Sequence, residues 1–154
     1  MIRASRRAPE AADLGDLEQH VGYMLRRAQL AVFADFSAAQ RGAVARPGQF
    51  SVLSVIGRNP GLSQSQLGAA LGIKRANLVA VIDELESLSL VLRIPSPTDR
   101  RSNRLELTRA GMRALRRSTT DQAKHEARVA RVLGAAGRAA LLEQLAKLCE
   151  LGCR

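Results

Sequence analysis

The chain has 154 residues, enough for one domain with a buried core and too few for two independent ones. Its 24 Lys and Arg against 14 Asp and Glu give a formal net charge of +10, which favours polyanionic partners, nucleic acid ahead of an anionic membrane. Tryptophan is absent and aromatics are scarce while Leu, Ala and Arg abound, the palette of packed amphipathic helices, and no stretch approaches the ~20 apolar residues of a membrane span.

Residues 1–12 read as a flexible basic arm. The acidic "AADLGDLEQH" that follows "MIRASRRAPE" lacks the apolar centre of a secretory signal, so a cytoplasmic protein is expected. From Leu14, the positions Leu14, Leu17, Val21, Met24, Ala28 and Ala31 advance by threes and fours, which predicts one helix running to about Ala39. That helix is too long for a small core to cover, so part of its stripe needs another partner. "RGAVARPG" breaks it, and Pro47 opens a second helix with Phe50, Leu53 and Ile56 inward and a stop at Asn59, Pro60 and Gly61.

Ser63 followed by Gln66 has the form of a capping box for a short third helix, with Leu67, Ala70 and Leu71 apolar and Gly72 suited to its carboxyl cap. A fourth helix starts near Lys74. Leu78, Val81, Ile82, Leu85 and Leu88 fall on one of its faces, and Ala76, Ala80, Asp83 and Ser87 on the opposite one. The period then changes: "VLRIPS" and "NRLELT" predict a two-stranded hairpin, with Leu105 and Leu107 alternating against Arg104 and Glu106. Thr108 can cap a fifth helix, sparse in apolar residues, that Gly134 and Gly137 interrupt. A last helix from about Ala136 carries Leu142, Leu145 and Cys149 on one stripe, beside Leu141 and Leu148.

Short helix, glycine-containing turn, second helix, hairpin: this is the winged helix-turn-helix order, in which the second helix enters the major groove of DNA. Here its leading segment is "KRANLVA". Lys74 and Arg75 can reach phosphates or guanine edges, Asn77 has the amide geometry that pairs with adenine, and Ala76 and Ala80 let the helix sit close to the bases. Arg100 and Arg101 at the hairpin tip suit a narrow, strongly negative minor groove, with Asp99 bracing one of them.

The stretch "LSQSQLGAALGIKRANLVAVIDELESLSLV" followed by "SPTDRRSNRLELTRAG" resembles the MarR family of transcriptional regulators, including its Asp-x-Arg wing and the Leu-Thr-x-x-Gly that starts the next helix. With the flanking helices the resemblance spans about residues 13–152. It implies a mainly α fold with a small β-hairpin wing: one domain over 13–154, dimerisation helices at about 13–40 and 108–152, and a winged helix-turn-helix at about 47–107. It also implies an obligate homodimer that represses transcription until a small ligand releases it. Carried onto this chain, Arg101 takes the minor-groove role, Asp99 supports it, and Lys74, Arg75, Ala76 and Asn77 take the major-groove positions, with Ser63, Ser65, Ala80 and Arg100 also facing DNA. Ala80 departs from the polar residue that many relatives place there, so their operators do not transfer. Two-fold pairing implies a double-stranded, pseudo-palindromic operator with half-sites about 34–36 Å apart.

His20, Tyr23, Arg26 and Arg27 cluster along the first helix, which in the resembling family borders the effector pocket. Arginines beside a tyrosine suit a carboxylate or phosphate on an apolar body, so an aromatic acid or its coenzyme A thioester is the expected effector. Cys149 and Cys153 share a helical face, which opens a thiol-switch alternative, although a helix carboxyl terminus disfavours a thiolate. No cofactor or metal is expected, because the two histidines stand far from each other and from the cysteines. An enzyme is not expected either: there is no Gly-x-Ser-x-Gly, phosphate loop or dinucleotide fingerprint. The nearer rival is an architectural protein that binds DNA of any sequence.

Overall fold

The computed structural model describes residues 12–39, 46–95 and 103–153. The chain divides inside its first helix into two compact units, one ending at Ala31 and the other beginning at Val32. The first unit holds a 3-10 turn, Leu17–Gln19, and the start of α1, Val21–Ala39. The helix therefore begins later than the apolar period from Leu14 predicts. Gly15 takes a left-handed φ of 55° and His20 an extended backbone, and either conformation ends a regular helix. The proposed arm lies outside the described residues apart from Ala12.

The second unit is built around α2 (Pro47–Arg58), β1 (Leu62–Ser63), α3 (Gln64–Leu71), α4 (Arg75–Ser87), β2 (Val91–Pro95), β3 (Asn103–Leu107) and α5 (Arg109–Cys149). Pro47 sits where a helix has no use for an N–H, and the Gln49 side chain accepts from the Arg46 N–H at 3.2 Å. At the other end the Asn59 side chain donates to the Val55 carbonyl before Pro60 stops the helix. The capping box of α3 is complete: Ser63 Oγ accepts from the Gln66 N–H, and Gln66 Oε1 accepts from the Ser63 N–H. Gly72 ends α3 at a φ of 62°, a conformation that costs an L side chain strain.

Three helices and the sheet enclose one core. Val52, Leu53, Ile56, Leu67, Ile82, Leu85, Val91 and Leu105 have no exposed surface, and Leu78 has almost none. Each such side chain contributes about 1.5–3 kcal/mol relative to exposure. Leu88 departs from the expected inward stripe: it is the C-cap residue of α4, past the last full turn, and is exposed. Ala70 on α3 is likewise exposed. The hairpin shows the expected alternation at Arg104, exposed, and Leu105, buried, whereas Glu106 and Leu107 are both half-buried. A third strand was not expected. β1 pairs antiparallel with β3, opposing Leu62 to Leu105, and gives the sheet the order β1-β3-β2. Two residues are too short for an alternating signal, and only Gly61, with a φ of 83° and its N–H donating to the Leu105 carbonyl, marks the approach.

α5 docks on this body through one close backbone approach. Thr108 caps it, its Oγ accepting from the Gly111 N–H at 2.9 Å and donating to the Ser89 carbonyl at 2.7 Å. A side chain on Gly111 would put its Cβ 2.0 Å from the Leu90 carbonyl oxygen, so the Gly of Leu-Thr-x-x-Gly is the residue that lets helix and chain touch. Farther along, Gly134 leaves helical geometry (φ 70°, ψ 162°) and kinks α5, whereas Gly137 remains helical. Arg138 reaches back over the kink to Glu126 at 2.5 Å.

Candidate nucleic-acid interface

α4 buries Leu78, Ile82 and Leu85, which forces the other side of the helix outward. Ala76, Asn77 and Ala80 are exposed there, and Lys74 and Arg75, which precede the first covered turn, are exposed at the tip of the helix. The start of α4 therefore presents two cations, an amide and two methyl-sized gaps on one surface. Ser63, Ser65 and Arg75 come together around a cleft of about 320 Å³ between α3, α4 and the start of β3, which Gln64 and Asn103 also line. Ser63 serves two ends: its hydroxyl is already engaged as the α3 cap. Asp99, Arg100 and Arg101 lie outside the described residues, although the two strands that carry them, β2 and β3, pair in register from Val91 opposite Leu107 to Pro95 opposite Asn103.

Farther along α4, charged residues are fastened by pairs that the sequence did not reveal. From β2, Arg93 Nη2 lies 2.5 Å from Asp83 Oδ1 and Nη1 lies 2.5 Å from Glu86 Oε2. Burial opposes the Arg93 charge, but the two carboxylates outweigh it and hold its pKa above the ordinary value. Arg46, at the start of α2, pairs with Glu84. Asp83 reads in sequence only as part of the face opposite the apolar stripe, and nothing at position 93 distinguishes its arginine from the other surface cations.

In the first unit, Tyr23 and Arg27 stand one turn apart: Arg27 Nη1 donates to Tyr23 Oη at 2.9 Å and its guanidinium lies 5.7 Å from the ring centroid. The tyrosine hydrogen bond raises the Arg27 pKa. His20 turns the other way and donates Nδ1–H to the Asp16 carbonyl, while Arg26 is exposed. Of the four expected effector residues, two are thus joined directly.

The second unit holds a polar cluster that sequence reasoning missed. Arg128 donates to both oxygens of Asp35 at 2.8–3.0 Å, and His125 Nδ1 lies 2.6 Å from Asp35 Oδ2, which places the ring proton on Nδ1. Only 2% of His125 is exposed, and its ring meets Phe36 edge to face at a centroid separation of 5.8 Å. Ninety residues separate His125 from Asp35, so no local spacing could pair them.

The arrangement defines a winged helix-turn-helix protein: an exposed, cation-tipped helix backed by its own core and flanked by an antiparallel hairpin. The sequence profile of the MarR family matches residues 44–102. Over 124 residues the chain is 39% identical to a Thauera aromatica protein described as a transcriptional regulatory protein for the hcr operon, covering 75% of this chain and 74% of that one. Among solved structures, the transcriptional repressor CouR bound to a 23-mer DNA duplex is 42% identical with a TM-score of 0.83, covering 91% of this chain and 99% of that one. CouR bound to p-coumaroyl-CoA matches at 39% identity and the same TM-score, over 90% of this chain and 98% of that one. The PcaV transcriptional regulator from Streptomyces coelicolor, in complex with its natural ligand, matches at 25% identity and a TM-score of 0.83, with the same coverage. The chain belongs to the MarR family.

Proposed function

We propose that this chain is a sequence-specific, homodimeric transcriptional repressor of the cytoplasm, working by binding and not by catalysis. The observation that carries the reading is the exposed start of α4, where Lys74 and Arg75 at the helix tip and Ala76, Asn77 and Ala80 along it are open while Leu78, Ile82 and Leu85 are buried. A helix held this rigidly can place donors against base edges, each good pairing giving about 1–3 kcal/mol of discrimination. Arg101 enters the minor groove with Asp99 and Arg100 beside it, and Ser63 and Ser65 face the backbone. The domain assignment follows the same division: residues 47–107 read DNA, and helices on either side join the two copies.

Selection of duplexes from a randomised pool, then competition against random duplex at fixed salt, tests this. A preference of roughly 10³-fold or more is expected. Equal binding to both would make the protein an architectural one and overturn the reading. Arg101→Ala is expected to weaken binding to the selected duplex without dissociating the dimer.

The effector is an aromatic carboxylate or its coenzyme A thioester. The support is the Tyr23–Arg27 pair, an aromatic ring beside a guanidinium, together with the p-coumaroyl-CoA bound to the similar CouR. Thermal shift with p-coumaroyl-CoA and with p-coumarate should show stabilisation by at least one, coupled to release of the selected duplex. If neither stabilises the protein nor releases the duplex, this effector class is excluded.

A further inference from the structure

Asp83 lies seven residues beyond Ala76, two helical turns, and therefore on nearly the same exposed line of α4, about 10.5 Å farther along the axis. A carboxylate on that line, with Glu86 one turn beyond it, would face the phosphates that the start of the helix approaches. Arg93 meets both. It stands in the middle of β2, opposite the fully buried Leu105 of β3, so its backbone is fixed by the sheet and its stem by the core edge. Its side chain is only 20% exposed, and each guanidinium nitrogen named above takes a different carboxylate. An ordinary surface ion pair contributes little, because two flexible side chains must be ordered in water. A planar fork that is mostly buried and engaged at both prongs loses less on ordering and fixes direction as well as distance.

The geometry points to Arg93 as a positioning residue for DNA recognition: held between Asp83 and Glu86, its guanidinium fixes wing strand β2 against the exposed side of α4 and so sets the spacing between the two DNA-reading elements. The inference rests on the DNA-binding reading above. It makes the two acidic residues useful to recognition although they repel the ligand. Removing them has opposite effects on general attraction and on fit. A protein that is merely more positive binds every duplex more tightly, whereas one whose wing is loosened from its helix loses discrimination.

The experiment uses the full chain, a duplex selected by the wild type from a randomised pool, and a random duplex of equal length, at about 0.15 M salt. Asp83→Asn/Glu86→Gln removes two negative charges, so random duplex should bind more tightly while the preference for the selected duplex falls about tenfold. Arg93→Ala should lose preference to a similar extent, and Arg93→Lys, which keeps the charge without the fork, should fall between it and the wild type. Far-UV circular dichroism and the dimer elution volume verify that each protein is folded. Should Arg93→Ala not fold, the Asn/Gln protein decides. If that protein binds both duplexes more tightly in equal proportion, the carboxylates act only as charge and the positioning role is overturned. A wild type with no preference overturns the regulator reading and this inference with it; a preference that survives in every variant overturns the inference alone.

Discussion

The body between residues 47 and 107 and the helices on either side of it both carry apolar residues at helical spacing, yet they dispose of them differently. In the body, Leu53, Ile56, Leu67, Ile82 and Leu85 are wholly covered by other parts of the same chain. In α1, Val21 and Met24, one turn apart, remain 60% and 48% exposed, and in the far part of α5 Leu141 and Leu142 remain 43% and 51% exposed. The same periodicity thus signals a closed core in one place and an open stripe in the other. Exposed apolar stripes of this extent mark interfaces, and a second copy of the chain is the covering the proposed function requires. Fold information and assembly information are therefore written in one alphabet, and burial within a single chain separates them.

The sharpest way to break this distinction is to cut one leucine from each region. Leu53→Ala should cost about 2–5 kcal/mol in urea unfolding, since it opens a cavity among fully buried neighbours. Leu142→Asp should leave the body folded and shift dimer dissociation to a protein concentration about tenfold higher or more, read by sedimentation or dilution chromatography. Equal loss of folding in both would mean that the stripe on α5 belongs to the core.

A second change attacks the join between the regions. Gly111→Ala places a Cβ 2.0 Å from the Leu90 carbonyl oxygen, and because that neighbour is backbone, the helix must move. The expected loss is about 1–3 kcal/mol, the range for overpacking, with DNA affinity falling more than the unfolding midpoint alone explains. A smaller effect is expected at Thr108→Val. The substitution keeps the shape of the side chain but removes the cap to Gly111 and the bond to Ser89, and should cost about 1 kcal/mol by the same measurement.

Much of the body is legible in the sequence because its signals are local. Pro47, the Ser63 and Gln66 pair, Gly72 and Thr108 each satisfy or spare a backbone group within a few residues, and each stands where its chemistry requires. The exposed face of α4 follows as the complement of its buried stripe. What stayed hidden is contact between distant residues. The two residues of β1 gain their identity from Leu105, Arg93 from carboxylates on another element, and His125 from an aspartate 90 positions away. Leu88 was misread for the opposite reason: it fits the stripe of α4, but the helix ends before its side chain can reach the core. The wing tip, Asp99 to Arg101, lies outside the described residues, so its role rests on the sequence pattern.

The mildest test concerns the Asp35 cluster, which lies between the end of α1 and the first part of α5 and touches the body through Phe36 and Phe50. Hydrogen bonds from Arg128 and then His125 lower the Asp35 carboxyl from its ordinary 3.8 to about 2. A carboxyl depressed by folding stabilises the native state above its unfolded value, and that contribution disappears as the pH falls through the folded value. The wild type should therefore be more stable than Asp35→Asn above about pH 4, and the gap should close towards pH 2. Both Asp35 and Arg128 are partly solvated, so the gap should be smaller than the effects at Leu53 or Gly111. Urea midpoints for the two proteins across that acid range measure it. A gap that stays constant with pH would mean that Asp35 matters through its shape and hydrogen bonds alone. The join between α1 and α5 would then be held by packing around Phe36, as the body is, and the contrast between a packed body and a charge-fastened junction would disappear.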